Sequence, residues 1–153
     1  MDVTKDWFWE GNVVEALAKQ LERDGWTIVT KANTHSKERG VDIHAERSGR
    51  TLLIEAKGFP SKFYRDPERA SEQKPTNPTN QAQQWYSHAL LKAMRLQTKH
   101  PGALVALAFP DFPRYRALYE ETRGGLDKLG VALFLVKEDS QVDSFGLGPT
   151  SKQ

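Results

Sequence analysis

A chain of 153 residues, 38% hydrophobic and 27% charged, has the length of one ordinary domain and enough apolar residues to bury a core. It has no cysteine, which excludes disulfides, thiolate metal sites and cysteine nucleophiles together. With 22 Lys and Arg against 20 Asp and Glu, the net charge of +2 gives only a slight bias towards a polyanionic partner. The opening MDVTKDWFWE is too acidic and too poor in apolar run for a signal peptide, and no segment has the length of a membrane span, so a cytoplasmic protein is expected.

From Lys5 to Arg23, Trp7, Val14, Leu17 and Leu21 recur at helical spacing, and Gly25 follows as a stop signal. WTIVTKA, Trp26 to Ala32, is aromatic and β-branched and reads as a strand. After the polar loop NTHSKERG, Val41, Ile43 and Ala45 alternate with Asp42, His44 and Glu46, RSGR makes a turn, and TLLIEAK returns, so residues 41–57 form a β-hairpin. Residues 58–79 contain Pro60, Pro67, Pro75 and Pro78 with no sustained period; a loop of that length inside a domain is a candidate substrate-contacting segment. Asn80 to Lys99 reads as a second helix with Trp85, Ala89, Ala93 and Leu96 on one side, ended by Pro101 and Gly102. ALVALAF, Ala103 to Phe109, and VALFLV, Val131 to Val136, are continuous apolar runs of strand length, and a helix from Arg114 to Lys128, weakened by Gly124 and Gly125, lies between them. These elements predict an α/β protein, residues 1–137 forming one domain with a mixed sheet between helices and 138–153 a loose tail.

The hairpin carries the chemistry. Glu55 and Lys57 project from one face of their strand, roughly 7 Å apart along it. A four-residue turn at Arg47 to Arg50 pairs Glu46 with Thr51 and sets Asp42 opposite Glu55, where two like charges need something positive between them. Carboxylate oxygens without cysteine suit Mg²⁺, with Mn²⁺ as a substitute, better than Zn²⁺. Such an ion could hold a phosphate oxygen and activate a water that Lys57 orients. His44, two residues from Asp42 on the same face, is expected to satisfy a local hydrogen bond.

GVD at Gly40 to Asp42 followed by IEAKG at Ile54 to Gly58 resembles the PD-(D/E)XK nuclease superfamily, and is most similar in pattern to Holliday junction resolvases and Mrr-like restriction endonucleases. Val41 stands where the name-giving proline would be. The resemblance spans the first helix through the second, and the element order matches the restriction endonuclease-like αβββαβ core. It implies a metal-dependent DNA endonuclease in which Asp42, Glu55 and the Ala56 carbonyl are metal ligands and Lys57 is the catalytic lysine. It further implies a glutamate from the first helix, for which Glu15, beside Gly11 and Ala18 at the edge of the apolar stripe, is preferred over Glu10 and Glu22. A glutamine on the second helix is a looser part of the pattern. Gln81, sharing a face with Gln84 and His88, is the candidate for it.

Lys31, Lys37 and Arg39, and with less weight Lys62 and Arg65, are candidate phosphate contacts. A catalytically silent nucleic-acid-binding or assembly module of the same fold is the alternative, as is a nuclease subunit of a larger restriction or repair complex. Symmetric dimerisation would let so small a nuclease cut both strands.

Overall fold

The computed structural model describes residues 3–32, 40–60 and 77–147. A 3₁₀ turn at Val3–Lys5 precedes α1 (Glu10–Arg23), followed by β1 (Thr27–Lys31), β2 (Ile43–Arg47), β3 (Arg50–Ala56), α2 (Pro78–Lys99), β4 (Leu104–Pro110), α3 (Pro113–Leu129), β5 (Val131–Val136) and β6 (Val142–Phe145). The six strands form one sheet in the order β1-β2-β3-β4-β5-β6. β1, β2 and β3 pair antiparallel, β4 joins β3 and β5 in parallel, and β6 closes the far edge antiparallel to β5. This is the mixed α/β sheet flanked by helices that the order of elements predicts.

The hairpin turns through Ser48 and Gly49, both at positive φ (51° and 78°), as a two-residue turn matching the strand twist requires. Its register is Glu46↔Thr51 and Ile43↔Ile54, as expected. The two faces of β3 then go to different helices. Ile43, Ala45, Leu52, Ile54 and Ala56 lie under α1 with Val13, Val14, Leu17 and Leu21, and Ala106, Ala108 and Ala132 on the same face are small enough to let α1 sit close. Leu53, Val105, Leu107, Phe109 and Leu133 face α2 and α3, against Ala82, Tyr86, Ala89, Ala93, Tyr115 and Leu118. By alternation Asp42, Glu55 and Lys57 belong to this second face. Each crossover helix begins at a proline in its first turn, and α2 is capped by Asn77, whose side chain accepts the Thr79 N–H at 2.8 Å.

Three expectations need correction. The first helix starts at Glu10, not Lys5; Trp7 lies before it and stacks on Phe112 with centroids 5.3 Å apart. Gly124 and Gly125 are exposed and do not interrupt α3, because Leu118, Tyr119 and Leu126 hold the opposite side of the helix in the core. The tail beyond residue 137 is not loose throughout, since Val142–Phe145 pairs with β5 and Asp143 is bonded to Arg116 at 3.0 Å. Of the long loop, residues 61–76 lie outside the described residues.

β3 leaves the sheet through a tight junction. Lys57 N–H bonds to Ala108 O at 3.0 Å, Phe59 N–H to Phe8 O at 3.1 Å, and the buried Tyr115 hydroxyl to Gly58 O at 2.7 Å. A Cβ on Gly58 would stand 2.6 Å from Phe8 O and 2.8 Å from Glu10 N, so only glycine lets the start of α1 meet the end of β3. Gly58→Ala is therefore expected to destabilise the protein by roughly 1–3 kcal/mol, measured by urea unfolding. Wild-type stability in that variant would show that the junction can give.

Candidate active site

Two-residue turns alternate the pairing so that Arg47↔Arg50, Ala45↔Leu52 and Ile43↔Ile54 exchange both backbone bonds, while the pairs between them do not. Extending the register by one step sets Asp42 opposite Glu55 in a pair of the second kind, whose Cα atoms stand only about 4.5 Å apart and whose side chains are closest. β2 has stopped by then, and the N–H of Ala56, which would next have bonded to the β2 backbone, is taken by Asp42 Oδ2 at 2.8 Å. Asp42 is thus fixed by β3's own backbone.

Glu55 is the one charged residue type buried among the described residues, 6% exposed on the α2 side of the sheet. Burial first, and then the charge and hydrogen bond of Asp42, push its carboxyl up to about 8, against the pull of Lys92 and Lys57. The Asp42 contact and the raised carboxyl fit one proton shared between the two acids, which leaves the pair one negative charge for the lysines to balance. Lys57 Nζ stands 3.8 Å from Glu55 Oε2, and Lys92 Nζ, from α2, stands 3.7 Å from Oε1. Lys92 also donates to Gly40 O at 3.0 Å. Glu55 Oε1 is buried and has no hydrogen-bond partner among the described residues.

The sequence-predicted residues divide accordingly. Asp42, Glu55, Ala56 and Lys57 are brought together. Glu15 is not: it lies on the α1 side, ion-paired with Lys31 at 2.9 Å, with both side chains about half exposed. Lys31 is opposite Ile43 and shares that face, so this proposed phosphate contact is occupied by a surface pair. Of the α1 glutamates, Glu10 sits at the helix end that meets Gly58. Gln81 is also displaced, by about 16 Å along α2 from Lys92 at 1.5 Å per residue, and it is not among the groups acting on Glu55. Its own Oε1 is buried without a hydrogen-bond partner among the described residues. Lys37, Arg39, Lys62 and Arg65 lie outside the described residues. His44 does form a local bond, 2.7 Å to Glu46.

Lys92 is the residue that sequence reasoning missed. Gln81, Gln84, His88 and Lys92 follow the i, i+3, i+7, i+11 stripe of one helix face, so the spacing that singled out Gln81 also led to Lys92.

The donors here fit a small hard cation. Two carboxylates and a backbone carbonyl supply only oxygen, as Mg²⁺ and Mn²⁺ prefer, and the unbonded Glu55 oxygen and raised carboxyl mark a shortage of positive charge. Among the described residues no group of three His, Asp or Glu side chains converges, so water and substrate would complete the shell, the usual state of Mg²⁺ in proteins.

No family model and no curated protein sequence matches the chain. Two solved structures do. An FdxN element excision controlling factor protein from Anabaena variabilis is 18% identical with a TM-score of 0.52, covering 86% of this chain and 95% of that one. An XisH family protein from Nostoc punctiforme is 17% identical with a TM-score of 0.53 and the same coverage. This chain shares their fold. No helix among the described residues is long and apolar enough to cross a membrane.

Because Glu55 holds its proton more tightly folded than unfolded, the folded state binds the extra proton, and stability without metal falls as pH rises from the unfolded value near 4.5 to about 8. Glu55→Gln should remove most of that decline and be the more stable protein at pH 8 by on the order of a few kcal/mol. Denaturant unfolding in EDTA across pH 5–9 measures it. Equal pH slopes for the two proteins would mean that Glu55 is ionised throughout.

Proposed function

We propose that this chain is a metal-dependent DNA endonuclease of the PD-(D/E)XK type, hydrolysing a phosphodiester by in-line attack of water. The reading is carried by the opposed Asp42 and Glu55 carboxyls beside Lys57. A module that only held a polyanion would gain nothing by setting two acids against each other, one of them buried, where the polyanion binds. The element order α1-β1-β2-β3-α2-β4 is that of the superfamily core. The neighbour from Anabaena variabilis is described as an excision controlling factor, in keeping with an action on DNA.

The chain's own residues would act as follows. Asp42 Oδ2 is held by Ala56 N–H, leaving Oδ1 to face the site with Glu55, while the Ala56 carbonyl offers a third oxygen on the same strand end. Bound Mg²⁺ or Mn²⁺ would supply Lewis-acid polarisation of the phosphate and a more acidic water. Lys57, partly exposed and kept near Glu55, presents its ammonium where the attacking water is oriented and the phosphorane charge develops. Glu10, rather than Glu15, is the first-helix glutamate at this end of the sheet.

A second reading, a silent nucleic-acid-binding module, draws on the two lysines that already face Glu55. Nicking of supercoiled plasmid separates them. Cutting is expected in Mg²⁺ or Mn²⁺ and none in EDTA. Asp42→Asn, which keeps an oxygen for Ala56 N–H, should abolish it, and Lys57→Ala should slow it by about 10²- to 10³-fold. Metal-dependent binding of plasmid, branched and single-stranded DNA without any cutting would favour the silent module.

A further inference from the structure

The two lysines at Glu55 are not equivalent. Lys57 shares the strand with Glu55, and its backbone is tied into β4 through Ala108 O. Lys92 comes from a different layer of the fold, on a flexible four-carbon stem whose side chain is 38% exposed. Its hydrogen bond goes to the Gly40 carbonyl at 3.0 Å, while its approach to Glu55 Oε1, at 3.7 Å, is too long for one. That oxygen, buried and without a hydrogen-bond partner among the described residues, is therefore compensated by charge alone. A cation that neutralises an oxygen without bonding to it is held loosely and blocks no lone pair.

We infer that Lys92 is an exchangeable counter-ion of the carboxylate pair: it balances the pair's negative charge in the metal-free protein and yields Oε1 to a divalent cation, its released ammonium then serving a DNA phosphate. The inference rests on Asp42 and Glu55 forming a divalent-cation site. An ammonium and a dication cannot both stay within about 4 Å of the same oxygen without strong mutual repulsion. The ammonium that must move is that of Lys92, because it stands against Oε1, the oxygen left without a hydrogen bond, whereas Lys57 stands against Oε2. Its withdrawal also changes the tie to Gly40, at φ +115° just before β2, so metal loading and the start of the Asp42 strand are linked through one ammonium. Lys92 should thus weaken metal binding in the free protein and strengthen DNA binding in the loaded one.

Calorimetric titration of the full chain with Mn²⁺, without DNA, tests this directly. Lys92→Met keeps the stem and removes the charge, and should bind Mn²⁺ about 5-fold or more tightly than wild type. Lys92→Arg keeps the charge and should bind no more tightly than wild type. Lys92→Gln repeats the neutralisation should methionine perturb α2, with the fold of each variant checked by circular dichroism. In Ca²⁺, anisotropy of a labelled duplex should show weaker binding by Lys92→Met and a salt slope smaller by about one. Unchanged or weaker Mn²⁺ affinity in both neutral variants, with Asp42→Asn abolishing uptake, would overturn the Lys92 inference while leaving the metal site standing. If wild type takes up no Mn²⁺, or Asp42→Asn takes up as much, the metal site fails and this inference with it.

Discussion

Where β2 stops pairing with β3, the Asp42 carboxylate takes the N–H of Ala56 at 2.8 Å, and the geometry of the candidate site follows from that bond. It replaces the backbone bond that Val41 would have made had the ladder continued, and β3 runs on through Glu55 and Ala56 beyond its last pair with β2. Asp42 is left facing Glu55 across a narrow pair. Glu55 cannot retreat, because Ile54 and Ala56 on either side of it are buried under α1 while its own side chain is covered from the α2 side. Gly58 and Tyr115 then clamp the strand end, so Lys57 leaves the sheet in a fixed direction. Register, burial and junction together hold two acids where electrostatics alone would separate them.

The same molecule shows what a purely structural ion cluster looks like. Arg116 donates to both oxygens of Asp111 at 3.1 and 2.8 Å and to Asp143 at 3.0 Å, tying α3, the end of β4 and β6 with direct bonds. Around Glu55 the two ammonium groups stop at 3.7 and 3.8 Å, and one carboxylate oxygen keeps its lone pairs. A cluster whose role was to hold the fold would gain by closing those gaps, since hydrogen-bonded charge pairs are the strong ones. Leaving them open costs stability and keeps oxygen available, which is the trade expected of a binding site.

The hairpin was readable to the residue because the turn is only two residues long: once Ser48 and Gly49 are placed, the opposition of Asp42 and Glu55 is arithmetic. Buried strands were readable as continuous apolar runs, and period placed Val14, Leu17 and Leu21 of α1 and Ala89, Ala93 and Leu96 of α2 in the core. Glu15 was misjudged for a definite reason. A helical wheel gives the angle of a residue about the axis, and Glu15 does lie at the edge of the stripe. The wheel does not say which side of the sheet the helix covers, and α1 covers the side away from Glu55. Gln81 failed along the other coordinate, since its helix face is right and its level along the axis is wrong. Lys92 has both, yet a lysine on a polar helix face looks like ordinary solvated surface until β3 is seen beneath it. β6 escaped because four residues at a sheet edge carry too little pattern to stand out from a loop.

The charge environment explains how a chain of net charge +2 could engage a polyanion at an acidic pair. β3 and β4 run parallel, and α3 begins at Pro113 at the edge where these strands end, its Tyr115 bonded to Gly58. Helix N-termini carry partial positive charge, and ligands of such sheets gather outside the carboxyl ends of their strands. Asp42, Glu55 and Lys57 lie at that edge. Among the described residues, the positive elements there are the α3 end, fixed in the backbone, Lys57 against Glu55 Oε2, and Lys92 against the unbonded Oε1. Under the proposed function the fixed positive charge offsets the approach of phosphate at every stage, whereas the demand for cation at Glu55 changes when a metal arrives. Lys92, set against the oxygen a metal would take, is placed to follow that change.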